Sequence, residues 1–528
     1  MQDPVKEAAW SEVDATRPTW SAWHTHIWHL AEPAWRERLS AAWYAERLEA
    51  EGFEVERGSG GMPTAFSARW SNGPGPAILA YAEYDAVPGN CQDATTARSP
   101  RGELSATAPG HTDPHSALGI STLVGLLAAK HSMEASGITG TLLYTGEPAE
   151  KMQGSKVVHG LRGYYDQADA ILSFHPFYML PLCNTVRWDT HCAAYYSRVY
   201  SFVCDQPELW GSAGADSPIP QAHSSARAPG ANAALAMMHL ATKSMQDAML
   251  ASMGGWSLSD AILAAGNATA DNLPGAFAQI QYSWRAPTVE MAEQMLTVIE
   301  RNAESVAEMT GCRLETRWVA RNRPGLANHV MADAVWANFA AVGAPQWSSQ
   351  ARALAREIQA NLGLAPLEEP LLEACERLVE PREAEAELRR SLPAWQANWT
   401  SDDYTEMTWY APTARFYVGR PTLAPHQEGR PYPGWAMNAM GGIAELIDPT
   451  IETAAKVVAG SILDLVRSPE TLARAREELE TRRAGRSARN RLLPRDFEAP
   501  VELNWPDYVE IPGLGRRWPV RLPGEAIR

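Results

Sequence analysis

Little in this chain points to an oxidising or membrane setting. Its 528 residues contain six cysteines (Cys91, Cys183, Cys192, Cys204, Cys312 and Cys375), scattered and never in C-x-x-C spacing. That excludes a disulfide framework and a zinc ribbon, and it suits a reducing compartment. No uninterrupted apolar run reaches the roughly 18 residues needed to span a bilayer. The opening Met1-Gln2-Asp3-Pro4-Val5-Lys6-Glu7 lacks the basic and apolar regions of a signal peptide, so the cytoplasm is the expected location. Positive charge is also short: 46 Lys and Arg face 62 Asp and Glu, for a net charge of −16. A surplus of that sign argues against nucleic acid and against an anionic membrane surface as partners. Local arginines remain able to bind an acidic small molecule. Internal repeats are absent.

What is present is ordinary for a globular protein, with 45% hydrophobic and 20% charged residues. The length suggests two to four domains. Residues 7–52 read as largely helical, with breaks at Pro18 and Pro33 and a stop at Gly52. His24, His26 and His29 lie there and read as surface or packing histidines. Three short apolar runs follow, each closed by polar, reactive residues. Ala77–Ala82 leads into Glu83-Tyr84-Asp85, Thr141–Thr145 into Gly146-Glu147-Pro148-Ala149-Glu150-Lys151, and Ala168–Phe174 into His175-Pro176. Such runs between helical segments are the pattern of buried parallel strands. In open α/β sheets ligands bind beyond the carboxyl ends of the strands, where Asp85, Glu150 and His175 would sit.

Between the first two runs lies Gly110-His111-Thr112-Asp113-Pro114-His115, with three possible metal ligands at alternate positions. Residues two apart in an extended segment can converge on one point, and imidazole and carboxylate are ordinary ligands for Zn²⁺ or Mn²⁺. Taken alone, the segment reads rather as a polar loop capping the helix that begins at Ser116. Beside Asp85, Glu150 and His175 it reads as the floor of a metal site.

From about Ala193 the pattern changes to strand, helix, strand, helix, strand: Tyr195–Val203, Ala231–Met245, Phe277–Arg285, Val289–Met309 and Arg313–Val319. That order predicts a small α+β sandwich inserted in the larger domain. Helices return after about residue 330. Leu367–Leu392 reads as a charged, solvated helical insertion. Thr413–Gly419 reads as a strand, and Ile451–Arg467 and Arg474–Arg486 read as helices. The tail from Leu492 is rich in Pro and Trp and is expected to wrap the surface.

Several segments, in order, resemble the aminobenzoyl-glutamate hydrolase and amino-acid amidohydrolase branch of the co-catalytic metallopeptidases. They are Trp28-His29-Leu30-Ala31-Glu32-Pro33-Ala34, Gly52–Glu56, Gly61–Phe66, Glu83-Tyr84-Asp85-Ala86-Val87-Pro88-Gly89, Gly110–Gly119, Gly146–Glu150 and Ser173-Phe174-His175-Pro176. The resemblance spans roughly residues 25–470. It implies an α/β catalytic domain with a mostly parallel sheet, formed by residues 1–192 and 331–528, and an inserted lid and dimerisation domain at 193–330. It further implies one or two divalent ions per chain, Mn²⁺ or Zn²⁺, a carboxylate-bearing small-molecule substrate, and a homodimer. Asp113 stands where this branch usually has a metal-bridging Cys; His115 and His175 stand at ligand histidines. Glu150 matches the general base and Asp85 the aspartate that orients a ligand. Near the C-terminus His426 is the candidate for the last ligand, although its flanks match poorly. In the lid, His223 resembles a histidine that reaches a partner's active site and holds the oxyanion. Asn272 and Arg285 fit positions that bind substrate carboxylate or carbonyl. His111 is expected behind the ligands.

Lys151 departs from the resemblance, because the family has a second glutamate there as a ligand. A protonated ammonium cannot ligate a metal and repels one nearby. Two readings stand. Lys151 supplies a fixed charge in a one-metal site and contacts substrate, or it points away and Glu147 supplies the carboxylate. Asp113, a hard oxygen donor in place of thiolate, shifts the expected metal from Zn²⁺ towards Mn²⁺. The leading function is a metal-dependent amidohydrolase of N-acyl or N-aroyl amino acids. The alternatives are an aminohydrolase acting on an aminoaromatic acid, and a non-catalytic binding homologue. Glu150 and Asp85 speak against the last, since a binder needs no general base.

Overall fold

The computed structural model describes residues 3–102, 104–206, 230–250, 254–266, 275–426, 429, 431–484 and 491–519. The chain begins with three helices, α1 (Pro4–Ala15), α2 (Arg17–Leu30) and α3 (Arg38–Ala50). The first break falls at Thr16 rather than Pro18, because Pro18 sits in the first turn of α2, where its missing N–H has no helical partner to lose. Strands β1 (Glu54–Arg57), β2 (Phe66–Ser71), β3 (Ala77–Ala82), β4 (Thr141–Gly146), β5 (Ala170–Pro176) and β6 (Thr185–Val186) follow, with α4 (His115–Ser136) and α5 (Ser155–Arg162) between them. The next strands are β7 (Ala194–Val203), β8 (Ser257–Ala264), β9 (Phe277–Ala286) and β10 (Arg313–Asn322), accompanied by α6 (Gly230–Met249) and α7 (Val289–Thr310). Strand β11 (Thr413–Val418) returns to the first sheet after α8 (His329–Val342), α9 (Ser349–Asn361) and α10 (Pro381–Arg390). Helices α11 (Gly434–Gly442), α12 (Ala444–Arg467) and α13 (Pro469–Arg483) precede a short hairpin, β12 (Val509–Ile511) and β13 (Gly515–Arg517).

The first sheet has the order β1-β2-β4-β3-β5-β11-β6. Its four central strands, β4, β3, β5 and β11, are parallel, and the outer pairings are antiparallel. Every residue of β4, β5 and β11 is buried, which explains why these strands read as unbroken apolar runs. The registers Ala82↔Gly146 and Tyr417↔His175 bring the carboxyl ends of the strands to one edge. Everything that follows β3, β4, β5 and β11 therefore emerges on the same side.

Helices α4 and α12 pack so closely that a Cβ on Gly125 would lie 2.5 Å from the Ala455 carbonyl oxygen and 2.7 Å from Val458 Cβ. That contact seats α4, and with it the segment at its start, against the sheet.

Residues Ala194–Asn322 carry a second, antiparallel sheet in the order β10-β7-β9-β8. Tyr196, Tyr200, Tyr282 and Trp284 pack against α6 and α7 in a core of their own. The opposite face is polar: Gln279 Nε2 donates to Ser201 Oγ and Gln281 Nε2 to Ser197 Oγ, each at 2.8 Å. The strand-helix-strand-helix-strand order is as read from sequence, with β8 added. A segment rich in Ser, Asp and Ala carries a weak strand signal, and β8 owes its conformation to pairing with β9 at the sheet edge.

Leu367–Leu392 is not one helix. It holds a bridge between Leu371 and Leu423, a single 3₁₀ turn at Glu373–Glu376, and α10. Pro370 and Pro381 exclude a continuous helix, and Leu371 and Cys375 are buried rather than solvated. The tail does wrap the surface: Leu493, Phe497, Ala499 and Trp505 are buried in a cluster with Val199 and Val319. Among the described residues no helix is long and apolar enough to cross a membrane.

Replacing Gly125 with Val forces α4 and α12 apart and is expected to destabilise the fold by about 1–3 kcal/mol. Chemical denaturation reads this as a lower midpoint; an unchanged midpoint would remove the α4–α12 contact as a determinant.

Candidate functional site

The site is built outward from β3. Its apolar run ends at Ala82, and the next residues are extended, so Glu83 and Asp85 project on the same side. Together they grip one imidazole. Asp85 Oδ1 accepts from His115 Nδ1 at 2.8 Å, and Glu83 Oε2 lies 3.3 Å from His115 Nε2. Asp85 thereby fixes the orientation of the ring and turns Nε2 into the cluster. His115 is the first residue of α4, and the residue before it, Pro114, makes no side-chain cap. The polar residues of Gly110–His115 therefore do not serve as a helix cap.

Beyond β4 the chain makes a tight turn at Glu150–Met152, flanked by Ala149 (φ 55°) and Gln153 (φ 53°). Left-handed conformations at non-glycine residues are strained and need support. Glu37 provides it, because its Oε1 accepts from the Ala149 amide at 2.7 Å. The Lys151 amide donates to Asp85 Oδ2 at 2.9 Å. One carboxylate, Asp85, thus ties His115 to the turn that carries Glu150.

Glu150 Oε2 lies 3.3 Å from His115 Nε2 and 2.8 Å from Lys151 Nζ. Lys151 Nζ also donates to Asp113 Oδ2, while Asp113 Oδ1 lies 3.4 Å from His175 Nε2. Lys151 therefore points into the cluster. Glu147 does not replace it as a carboxylate there, since its Oε1 accepts from His159 Nδ1 at 2.8 Å and from the Tyr165 hydroxyl at 2.7 Å. His175, at the end of β5, has Nδ1 2.6 Å from the Pro176 carbonyl oxygen, which leaves Nε2 directed at Asp113.

The electrostatics favour a cation. Burial pushes the Glu150 and Asp113 carboxyls up, but Lys151 and His115 outweigh it and hold both well below the usual range. Burial works against a charged His115, yet Asp113 and Asp85 raise its pKa well above that of a free imidazole. His175 is pushed down to about 4 by burial, so its imidazole is neutral near pH 7. Glu83 Oε2 and His115 Nε2 are buried without a hydrogen-bond partner. The trios Glu83–His115–His175 and Asp113–His115–Glu150 each bring donor atoms within 4.8 Å of one another, the spacing a divalent metal needs. The residues present fit such an ion.

Sequence reading alone missed a second layer. Lys156, in α5, is buried with Nζ 2.7 Å from Glu83 Oε1 and 2.6 Å from Asp403 Oδ1. Asp402 pairs with Arg415, which also donates to the Tyr81 hydroxyl and to Ser173 Oγ at 2.9 and 3.0 Å. Arg420, just past β11, donates to the Thr112 carbonyl oxygen at 2.9 Å and acts electrostatically on Asp113. Asp402 and Asp403 are an adjacent acidic pair at the start of the 3₁₀ helix Asp403–Trp409 that leads to β11, and the doublet itself was the available signal. The others are single residues with no local pattern.

The remaining expectations are placed as follows. His111 is buried, and its ring nitrogens have no hydrogen-bond partner. His24 is a packing histidine, 3.2 Å from Ser116 Oγ. His426 has Nε2 3.3 Å from the Ala365 carbonyl oxygen and is not in the His115 cluster. Arg285 donates to Ser401 Oγ at 2.6 Å, beside Asp402, and its guanidinium lies 5.2 Å from the Tyr195 ring centroid. His223 and Asn272 lie outside the described residues.

No protein-family model matches the chain. Among curated proteins it is similar to one of the subunits of p-aminobenzoyl-glutamate hydrolase from Escherichia coli K12, at 27% identity over 351 residues, 66% of this chain and 68% of that one. Among solved structures, a candidate aminohydrolase from methicillin-resistant Staphylococcus aureus aligns with a TM-score of 0.50 at 14% identity, over 87% of this chain and 100% of that one. The aminobenzoyl-glutamate utilization protein of Klebsiella pneumoniae aligns with a TM-score of 0.49 at 15% identity, over 85% and 98%. The fold, a mostly parallel sheet flanked by helices with an acidic and histidine-bearing cluster at its carboxyl edge, is shared with the Staphylococcus aureus structure. In sequence, the chain is similar to the aminobenzoyl-glutamate hydrolase subunit over about two thirds of its length.

Lys156→Met leaves Glu83 and Asp403 buried without their shared counter-charge. The loss is expected to be about 3–5 kcal/mol of stability, measured by denaturant unfolding. A loss below about 1 kcal/mol, the range of an exposed pair, would show that these groups are solvated.

Proposed function

We propose that the chain is a metal-dependent amidohydrolase that cleaves an amide joining an acyl or aroyl group to a small carboxylate-bearing amine or amino acid. The observation that carries this reading is the convergence of Glu83 Oε2, His115 Nε2 and Glu150 Oε2, all buried, with Glu83 Oε2 and His115 Nε2 lacking a hydrogen-bond partner. Leaving such atoms dry and unpaired is costly, and a divalent cation is the ligand that their donor chemistry suits. His115 and His175 would hold it together with Glu83, with Asp113 beside them through the oxygen that faces His175; the hard oxygens favour Mn²⁺ over Zn²⁺. Such an ion, when bound, polarises the scissile carbonyl and acidifies water.

The chain's own residues supply the rest. Glu150 is ionised, faces the same point as His115 Nε2, and is placed to take a proton from the attacking water and pass it to the leaving nitrogen. Asp85 keeps His115 oriented. Arg285, held on Ser401, is the candidate for the substrate carboxylate, together with Lys151 in the cluster. His223 and Asn272 belong to the same proposal as lid groups on the oxyanion and the substrate. His426 would complete the metal ligands only by leaving its contact with Ala365.

A homodimer through the lid is part of this reading. Its support is the edge position of β8 and the exposure of Ile262 on it, with Leu240 and Met245 exposed on α6. A cytoplasmic setting is supported by six cysteines that form no disulfide.

Incubation of manganese-loaded protein with N-acyl amino acids, aminobenzoyl-glutamate and aminoaromatic acids is expected to release amine from the amides. Ammonia from the ring amines instead would establish the aminohydrolase alternative, and binding without turnover would establish a non-catalytic homologue. Glu150→Gln is expected to lower kcat by about 10²–10⁴-fold while the metal stays bound; full activity would remove Glu150 as base. Asp85→Asn is expected to weaken metal binding about 10–100-fold by titration calorimetry; unchanged affinity would remove the orienting role. Ile262→Arg is expected to yield monomers in sedimentation velocity, whereas an unaltered dimer would place the interface elsewhere.

A further inference from the structure

Three trios of donor atoms in the cluster are spaced for a cation: Glu83–His115–His175, Asp113–His115–Glu150 and Glu83–Asp402–Asp403. Two of them already hold one. In the second trio the Lys151 ammonium is bonded to Asp113 and lies 2.8 Å from Glu150 Oε2. In the third, the Lys156 ammonium lies 2.7 Å from Glu83 Oε1 and 2.6 Å from Asp403 Oδ1, fully buried. Among the described residues, Glu83–His115–His175 is the trio with no ammonium bridging two of its members, and its Glu83 Oε2 and His115 Nε2 have no hydrogen-bond partner.

We propose that Lys151 occupies the place of a second metal ion, so that the site takes one divalent ion per chain, on the Glu83–His115–His175 side, and no more. The inference rests on the metal-dependent reading above and specifies the composition of its centre. Lys151 cannot swing clear without disrupting the site: its amide is pinned to Asp85 Oδ2, and its ammonium is bonded to two carboxylates. A divalent ion placed among those carboxylates would meet the ammonium within a few ångström, where like charges repel strongly at low dielectric.

The test uses Mn²⁺ alone, without substrate. Protein equilibrated with excess Mn²⁺ and then desalted is expected to retain one ion per chain by elemental analysis, with the electron paramagnetic resonance pattern of an isolated ion. Lys151→Glu, which exchanges the ammonium for a carboxylate, is expected to retain two ions with a spin-coupled spectrum. Lys151→Gln, with circular dichroism as the check on folding, removes the charge without adding a ligand and is expected to admit a second, weaker ion. Two ions or a coupled spectrum in the unaltered protein would overturn the inference while leaving the metal-dependent reading intact. One ion in all three proteins would equally overturn it, since Lys151 would then not be what excludes the second. No retained manganese at all would overturn the metal-dependent reading, and the inference with it.

Discussion

Asp85 is the joint on which the site depends. One oxygen holds His115 at the start of α4, and the other holds the Lys151 amide in the turn after β4. Three segments far apart in sequence meet at this carboxylate: the end of β3, the loop into α4, and the β4–α5 connection. Because β3 and β4 are neighbouring parallel strands with Ala82 opposite Gly146, both connections leave the sheet at the same height. The carboxylate then converts that rough proximity into fixed geometry. Glu37 plays the matching part from the other side, accepting from the Ala149 amide in a left-handed conformation that alanine does not favour. Burial and the nearby Asp85 raise Glu37 to about 8, a sign of how densely acids are gathered around this turn.

Gathering them is a hazard for folding. Carboxylates removed from water and placed beside one another destabilise the native state unless cations join them. The chain meets this with lysines on one short stretch: Lys151 serves Asp113 and Glu150, and Lys156 serves Glu83 and Asp403. Arg415 does the same for Asp402 and is itself held by Tyr81 and Ser173. Glu83 Oε2 and His115 Nε2 face each other, buried and without a hydrogen-bond partner, and that unsatisfied pair is the physical basis of the proposed metal chemistry.

Much of the scaffold was legible in the sequence because local pattern and final environment agree. Ala77–Ala82 is apolar at every position, which is what a strand buried on both faces requires, and it forms β3 with those bounds. The residues closing β3, β4 and β5 were legible for the same reason, since polar groups after buried strands collect at the carboxyl edge. Legibility failed where an element depends on its partner. Strand β8 is set by pairing with β9, and Leu367–Leu392 is interrupted by prolines and buried at Cys375 against its charged appearance. It failed again for Lys156, whose partners Glu83 and Asp403 lie 73 and 247 positions away.

The sequence by itself determined the α/β class, the order of the strands along the chain, and which residues stand at the sheet's carboxyl edge. These follow from hydrophobic periodicity and from polar residues at strand ends, properties that each segment carries alone. Only the tertiary structure decided that Lys151 turns inward while Glu147 is taken by His159 and Tyr165, and that Glu83 shares His115 with Asp85. Those outcomes depend on distances between segments and on the cost of leaving buried charges unpaired. Neither quantity exists until the chain has folded.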